Sequence, residues 1–301
     1  MHHPNGTITY RHQMLGAALM HPDKRAVIPV MPEPILKQDG TSKNDCERNA
    51  AKRLIVKLRQ DHPHLKLIVT EDRLSANAPP IPVLQDHTLH DILGVKEGDH
   101  AYLVAHVAAA EQAGGVTYDD RGDPETGLRH RFRFVRDGPL NEAHADLRVN
   151  FLECWEWDTD TVQPVSWVTD LRVHKGTVYQ LMRGGRARWR IENETFNTLK
   201  NQGDHFEHND GHGYQHLSVV FAVRMLLAFF VEQVQQMCCA LFQAVWAKLG
   251  SKRRLWERMR ALCYDYALES MRHLFEALYD GLKKTSPIFA LDSSSWPCFP
   301  G

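Results

Sequence analysis

The sequence predicts an α/β core that is interrupted by a β-rich insertion and followed by a helical C-terminal region. In the first hundred residues, short apolar runs bounded by turn residues alternate with a segment of helical periodicity. The middle of the chain alternates charged and aromatic residues, as strands do, and long helical patterns follow residue 214. The 301 residues are 43% hydrophobic and 24% charged, an ordinary globular composition with room for two domains.

A β-hairpin is predicted at the start of the chain. Residues 7–21 are strand-like, and residues 21–24 (His-Pro-Asp-Lys) supply a turn. Residues 26–31 form a second apolar run, in which Pro29 favours an edge position because proline cannot donate a ladder hydrogen bond. We therefore expect two antiparallel strands joined by a tight turn.

A helix and an acid-ended strand are predicted next. Residues 42–60 have helical periodicity. The apolar stripe of this helix consists of Ala51, Leu54, Ile55 and Leu58. Residues 65–70 are a short apolar run that predicts a buried strand, and Glu71 and Asp72 follow it directly. Active sites of α/β sheets lie beyond the carboxyl ends of strands, so this acidic end is a candidate site. A helix and a strand over residues 90–95 are expected to follow.

The rest of the chain divides into an insertion, a second part of the core and a C-terminal region. Residues 165–171 resume a core strand, and residues 177–201 form one helix. The predicted divisions are 1–98 and 165–213 for the two parts of the core, 99–164 for the β-rich insertion, 214–284 for the helical region and 285–301 for a disordered tail.

Charge and cysteine content narrow the class of protein. Lys and Arg (36) balance Asp and Glu (37), for a net charge of −1, so any nucleic-acid binding has to come from local patches. Six cysteines without a C-x-x-C pair fit free thiols in a reducing cytoplasm. The apolar run over residues 217–231 contains Arg224 and is short for a bilayer, which favours a buried helix and no membrane association.

The helix over residues 177–201 carries most of the chemistry that the sequence indicates. Four arginines precede Glu192, and Lys200 follows it two turns later. The four are Arg183, Arg186, Arg188 and Arg190. Nearby cations favour the ionised form of a carboxylate, and ionised carboxylates are ligands of Mg²⁺. A metal ligand beside phosphate-binding cations points to phosphodiester chemistry, with the arginines and Lys200 on the DNA backbone.

This helix resembles a segment of the DDE transposases of bacterial cut-and-paste insertion sequences of the IS-four type. The signature of that family is Tyr-x2-Arg-x3-Glu-x6-Lys on a helix. Arg188 and Glu192 match it. Gly185 stands at the position of the Tyr and Leu199 at that of the Lys, with Lys200 one residue later.

The resemblance extends over nearly the whole chain, including blocks at residues 38–40, 43–53 and 203–213. It implies an RNase H-like core whose insertion lies between the second and third catalytic acids. It also implies a protein that cuts and joins DNA at the ends of an insertion sequence, with Mg²⁺ or Mn²⁺ as cofactor. An intact relative is expected to act as a homodimer at the nucleoid, in the cytoplasm.

The same resemblance assigns the catalytic acids. Asp72 corresponds to the second acid and Glu192 to the third, and both are expected to hold divalent ions. The first acid should lie on a strand before the hairpin, but the first acidic residue of the sequence is Asp23, in the predicted turn. We therefore expect an RNase H-like core without its first strand, an N-terminal truncation, and no DNA cleavage by this chain alone.

Several alternatives for these residues stay open. Glu192 is also placed to pair with Arg188 one turn earlier, a contact that contributes only about 0.2–0.5 kcal/mol. Asp72 could instead cap a following helix, or Glu71 could be the metal ligand in its place. The arginines could form a solvated face. Four histidines could bind zinc, although no cysteine accompanies them. These are His205, His208, His212 and His216.

Two alternative functions also stay open. The first is a non-catalytic DNA-binding or dimerising fragment that inhibits a full-length transposase. The second is a different RNase H-like nuclease that recruits another carboxylate, for which Asp170 is a candidate although capping of the turn before the basic helix is its expected role.

Overall fold

The computed structural model describes most of the chain as two compact units. The described residues are 12–36, 43–71, 80–96, 98, 100–123, 127–157, 164–201, 206–207 and 216–281. The first unit contains the residues up to Phe196 together with 210–223, and the second contains 197–209 and the residues from Arg224 onward. Asp72 and the predicted tail, 285–301, lie outside the described residues.

The predicted hairpin is confirmed. Strand β1 (Met14–His21) pairs with β2 (Lys24–Pro34) in an antiparallel two-stranded sheet. The turn between them lies at Pro22 and Asp23. Both strands of a two-stranded sheet are edge strands. Pro29 lies in β2, so its strand has the edge position that the proline predicted.

The first unit also contains one mixed six-stranded sheet. Its strands are β3 (Ile68–Glu71), β4 (His90–Val95), β5 (Thr117–Gly122), β6 (Arg129–Pro139), β7 (Arg148–Trp157) and β8 (Val165–Thr169). Their order is β3-β4-β8-β7-β6-β5, with β3 and β4 parallel and the other pairs antiparallel. The α/β class is therefore confirmed. Strands β5–β7 of the predicted insertion belong to the same sheet as β3, β4 and β8.

The helices follow the sequence patterns with one exception. The first unit contains α1 (Lys43–Asp61), α2 (Pro80–Asp86), α3 (Ala101–Gln112) and α4 (Val178–Ala187). A π-helical turn, Ile191–Phe196, and α5 (Asn197–Asn201) continue the path of the predicted basic helix. Helix α3 lies in the segment that was predicted to be β-rich; its alanine-rich sequence has high helix propensity, which explains the difference.

Helices cover both faces of the six-stranded sheet. On one face, Leu103 and Val107 of α3 pack in a buried cluster with Leu93 and Phe151. On the other face, helix α4 packs on the sheet. That second cluster includes Ile92, Phe132, Leu152, Trp167, Val178, Leu181 and Met182. Neighbouring residues of one strand fall in opposite clusters, as the pleat of a strand requires.

Strand β3 differs from its prediction. It was expected to be buried, but it is the outer strand of the sheet, and Ile68 is 50% exposed. The apolar run that precedes it is also accessible, since Leu65 is 41% exposed. An aliphatic strand at an open edge is unusual because its unpaired backbone groups favour pairing with another strand.

Close packing of α4 depends on a glycine. A Cβ atom at residue 185 would lie 2.4 Å from Nε1 of Trp167, which is 4% exposed and held in the core. Real Cβ atoms do not approach other atoms so closely, so only glycine allows α4 to lie at this distance from β8.

The second unit is helical, as predicted, but its helices are shorter than the sequence patterns. They are α6 (Leu217–Cys238, which begins before the unit does), α7 (Ala240–Leu249), α8 (Lys252–Asp265) and α9 (Met271–Asp280). The side chains of Cys239, Ser251 and Ser270 cap α7, α8 and α9. A capping residue marks the start of a new helix, which hydrophobic periodicity alone does not reveal.

Helix α6 was predicted to be buried, and this is wrong. Only 22% of its most apolar window is buried, and Leu227 is 59% exposed. The helix has 22 residues, more than the apolar run from which it was predicted. Within the described ranges it is the one helix that is long and apolar enough to cross a membrane, by length and composition alone. The cytoplasmic location stays a prediction.

We predict that Gly185→Ala destabilises the protein. Overpacking against Trp167 costs about 1–3 kcal/mol, which exceeds the gain of about 1 kcal/mol in helix propensity. Urea unfolding measures the difference. Trp167→Phe should relieve the clash, so the double variant should lose less than the sum of the two single losses. A Gly185→Ala variant as stable as the unaltered protein would contradict this account of the packing.

Candidate functional site

An open cavity of about 1140 Å³ lies in the first unit. Its walls are β1 from Leu15 to His21, β3 from Ile68 to Glu71, one side of α1, and α4 with the residues that follow it. Leu54 and Leu58 line it from α1, as the predicted apolar stripe of that helix suggests. This volume is slightly above the range for small-molecule pockets, about 300–1,000 Å³.

Glu192 lies in the π-helical turn that follows α4. Its side chain is 56% exposed, and its Oε1 accepts a hydrogen bond from Nη1 of Arg188 at 2.9 Å. The ion pair between these residues is therefore present, as the structural alternative predicted. Because π-helical turns are rare and are found frequently at functional sites, the turn also supports a functional role for this segment.

The end of β3 faces the same cavity as the helix that carries Glu192. Glu71 lines the cavity from the last position of β3, and Arg188 and Ile191 line it from the helical side. Asp72, the predicted second acid, directly follows Glu71 in the chain and lies outside the described residues. The structure thus brings the neighbours of both predicted acids to one cavity, and the roles of Asp72 and Glu192 stay predictions.

The predicted DNA-binding arginines contact partners within the first unit. Arg183 forms an ion pair with Asp23 in the hairpin turn. Arg186 Nη1 lies 2.6 Å from Oε2 of Glu156 on β7. Arg190 donates hydrogen bonds to the carbonyls of Pro22, at 2.7 Å, and Lys24.

No acid precedes Glu192 within residues 183–191, so the acidic partners of Arg183 and Arg186 come from other segments. Asp23 and Glu156 supply the negative charge from distant parts of the sequence. The side chains of Arg183 and Arg186 remain 39% and 36% exposed. DNA phosphates would have to compete with these internal partners.

Lys200, the remaining predicted DNA contact, belongs to the second unit. Its Nζ lies 2.7 Å from Oε1 of Glu207. The preceding residue, Leu199, is 2% exposed and packs with Leu226 and Phe229. A lysine at position 199 would be buried, whereas Lys200 is 38% exposed.

Sequence reasoning missed a buried network beneath the arginines. His130 is 3% exposed, and its Nε2 lies 2.9 Å from the Glu156 oxygen that also accepts from Arg186. Glu156 therefore joins β6, β7 and α4 through one carboxylate. The alternation of charged and aromatic residues along β6 indicated a strand, but its register with β7, which the sequence does not give, sets this contact.

A second unpredicted cluster lies where β4 begins and β8 ends. Asp170 accepts a hydrogen bond from the backbone N–H of Asp91 at 3.0 Å, and its other carboxylate oxygen lies 2.6 Å from Nδ1 of His90. Asp170 was expected to cap the turn before α4. Instead, the hydroxyls of Thr169 and Thr177 accept hydrogen bonds from that turn.

Asp91 in this cluster has a strongly perturbed acidity. Burial raises its pKa from 3.8 to about 7, and the negative charges of Asp170 and Glu71 add to the increase. The Asp170 backbone N–H and the His90 ring oppose the shift. Asp91 is 1% exposed, and its Oδ1 has no hydrogen-bond partner among the described residues.

Metal and thiol chemistry can be assessed only in part. Among the described residues, no group of three or more His, Cys, Asp or Glu side chains could hold a metal ion. Of the four predicted zinc histidines, only His216 is described. Burial raises the pKa of Cys154 to about 12, so this thiol is not a nucleophile at neutral pH.

No protein-family model matches the sequence, and no curated protein matches it. The resemblance to the transposases therefore stays a prediction from the sequence.

We predict that Asp91 makes stability fall as pH rises. A carboxyl group whose pKa is higher in the folded state binds its proton more tightly there, so the loss begins near pH 4 and is complete above about pH 7. At about 1.4 kcal/mol per pKa unit, the loss is on the order of 4 kcal/mol.

Urea unfolding at pH 5 and pH 8 tests this. Asp91→Asn should remove most of the difference between the two pH values, whereas Asp146→Asn, at an exposed position, should retain it. An unchanged difference in the Asp91→Asn variant would assign the pH dependence to other groups.

Proposed function

We propose that this chain is a DDE transposase of the IS-four type with an RNase H-like core. In this proposal Asp72 and Glu192 hold Mg²⁺ or Mn²⁺ for phosphodiester hydrolysis and strand transfer on DNA. The third carboxylate does not come from the residues that precede the hairpin, since Asp23 is the first acid of the sequence.

The observation that carries the proposal is the shared cavity. Glu71, the neighbour of Asp72, lines it from the end of β3, and Arg188 and Ile191, the neighbours of Glu192, line it from the opposite side. Acids that hold two ions about 3.5–4 Å apart must converge on one place. The chain neighbours of Asp72 and Glu192 line the same cavity, although the two acids are 120 positions apart in the sequence.

The order of elements also supports the proposal. A hairpin, a helix, an acid-ended strand, a parallel strand β4, additional strands and an acid-bearing helix occur in the sequence of an RNase H-like core with an insertion. The parallel pair of β3 and β4, with α2 between them, is the α/β part of that arrangement. Helix α4 then packs on the sheet, and the π-helical turn with Glu192 follows it in the chain.

The residues fit a magnesium or manganese site. Carboxylate oxygens are the ligands that these ions prefer, and the Glu192 carboxylate is accessible. Bound ions would activate the attacking oxygen and stabilise the leaving oxygen. Arg188 pairs with Glu192 and could pair instead with a phosphate of bound DNA when Glu192 holds a metal ion.

A second candidate is a non-catalytic fragment that binds DNA or dimerises and inhibits an intact transposase. The internal partners of the arginines favour weak DNA binding in either case, because each phosphate contact replaces an existing ion pair. Co-expression with an active transposase would separate the two candidates, since an inhibitor lowers the transposition frequency.

We predict that Glu192→Gln and Asp72→Asn each weaken Mn²⁺ binding by tenfold or more, because each removes a charged ligand. Isothermal titration calorimetry with MnCl₂ measures this. Glu194→Gln removes the same charge two residues away in the same π-helical turn and should have little effect. Equal affinity of the Glu192→Gln variant and the unaltered protein would exclude Glu192 as a ligand. Metal-dependent DNA cutting that Glu192→Gln abolishes would instead show that the chain is catalytically complete.

We predict that Arg183→Gln reduces the salt dependence of binding to duplex DNA. Each lost phosphate contact lowers the slope of log K against log salt by about 0.9. Fluorescence anisotropy at several salt concentrations measures the slope. Arg272→Gln is the control, since Arg272 is also exposed and paired with an acid but lies on α9. Equal slopes for the two variants would count against DNA contact by Arg183.

A further inference from the structure

One side of helix α8 carries a concentration of positive charge. The helix contains five basic residues and two acids, whereas the whole chain has a net charge of −1. Four of the five cations are exposed. They are Arg253, Arg254, Arg258 and Arg260. Because residues three and four apart are neighbours on a helix, these side chains form one continuous basic surface in the second unit.

The opposite side of α8 belongs to the core of the second unit. Leu255 and Met259 are buried and pack with Phe242 and Phe275. The fifth cation, Lys252, is also turned inward, since its side chain is 21% exposed and pairs with a buried acid of α6. Core packing thus fixes which side of α8 faces solvent, and the four arginines lie on that side.

The exposed arginines do not stabilise the helix that carries them. Arg254 lies in the first turn, which contains no acid, and cations are unfavourable at this end of a helix. Arg258 follows Arg254 by four residues, a spacing at which like charges repel each other. Within the described part of the chain neither side chain forms an ion pair, whereas Arg253 pairs with Glu257 at 3.0 Å. Folding therefore gives no reason for the charge of Arg254 and Arg258.

A tyrosine lies on the same side of α8. Tyr264 is 89% exposed, more than any other large hydrophobic side chain among the described residues. It follows Arg253 by eleven residues, which is about three helical turns, so the two side chains lie along one line of the helix surface. A ring in this position packs on nothing in the core of the unit and is available to a partner.

Arginines together with an exposed aromatic ring fit a single-stranded nucleic acid. Guanidinium groups bind phosphates, and aromatic rings stack on bases. The bases of a duplex are stacked on one another, so a ring on the convex surface of a helix meets only the backbone. Unpaired bases present their faces. A helix rises about 1.5 Å per residue, so Arg254 and Tyr264 are about 15 Å apart along the axis, enough for a few nucleotides.

We propose that the exposed side of α8 binds single-stranded nucleic acid. Arg254 and Arg258 contact phosphates of the strand, and the ring of Tyr264 stacks on one of its bases. Such a surface tolerates many sequences, since every base has a face on which a ring can stack. The inference goes beyond the proposed function, in which α8 has no role, and it requires neither a metal ion nor the cavity.

Fluorescence anisotropy of the full-length chain with a labelled 15-nucleotide oligothymidylate, in EDTA, tests the stacking. Tyr264→Ala should lower the affinity at least fivefold, in the range found when a stacked aromatic residue is replaced by alanine. Tyr264→Phe keeps the ring and should bind as the unaltered protein does. Tyr102→Ala, which removes a tyrosine that is 42% exposed on α3, is the control and should also leave the affinity unchanged.

The salt dependence of the same binding tests the phosphate contacts. The double variant Arg254→Gln/Arg258→Gln should reduce the slope of log K against log salt by about 1.4, since each contact with a single strand contributes about 0.7. Arg129→Gln/Arg136→Gln makes the same change of charge at exposed positions of β6 and should leave the slope unchanged. All of these positions are exposed, so urea unfolding should give equal stabilities.

Three further ligands identify the partner. A duplex of 15 base pairs should bind with an affinity that Tyr264→Ala does not change, because it offers no unpaired base. Oligouridylate of the same length distinguishes RNA from DNA; binding of either strand supports the proposal, and the ratio of the affinities tells which is preferred. Polyglutamate should not displace the oligonucleotide. Displacement at equal charge would show that α8 binds acidic protein segments and would contradict the proposal.

Two other results would overturn it. One is equal affinity of the Tyr264→Ala variant and the unaltered protein for oligothymidylate. The other is an equal salt slope for the two double variants, which would leave α8 with an ordinary solvated face. None of these measurements contains a divalent ion or alters a residue of the candidate site. Single-strand binding can therefore be supported while the transposase function fails, or the reverse.

Discussion

The packing of α4 on the six-stranded sheet determines where the functional residues lie. At Gly185 the helix backbone lies directly against the Trp167 indole, closer than any side chain at that position would allow. This contact fixes the height of α4 above β8 and the path of the residues that follow it. Arg188 and Ile191 line the cavity, and the contact at Gly185 lies one to two turns before them in the chain. A change in that contact would move the whole candidate site.

Charge in the first unit is balanced by residues that are far apart in sequence. Asp23 and Glu156 neutralise Arg183 and Arg186, and Glu192 neutralises Arg188. These pairs are half-exposed, so each contributes little to stability. Together they hold the hairpin turn and β7 against α4. A phosphate ligand would have to displace an acid from each arginine, which makes DNA affinity sensitive to the same contacts that orient the helix.

The sequence predicted most of the helices and strands, but not which segments they contact. The hairpin, α1, β4, β8 and the basic helix are specified by local patterns of apolar and turn residues, and each was predicted near its observed position. The exposed edge of β3 was not predictable, because exposure depends on which strand lies beside it. Helix α3 was not predicted, because it precedes several strand-like segments and was included with them in the β-rich region. The ion pairs of the arginines depend on strand register and on contacts between distant segments, which no local pattern encodes.

Local packing restricts two positions of the basic segment. Trp167 excludes a side chain at 185, and the core of the second unit requires an apolar residue at 199. The π-helical turn Ile191–Phe196 has a further consequence for the residues within it. A hydrogen-bonded turn of the i to i+5 kind contains one residue more than an α-helical turn. The face on which Glu192 or Glu194 lies therefore does not follow from α-helical spacing, and a helical-wheel projection of this segment would misplace both side chains.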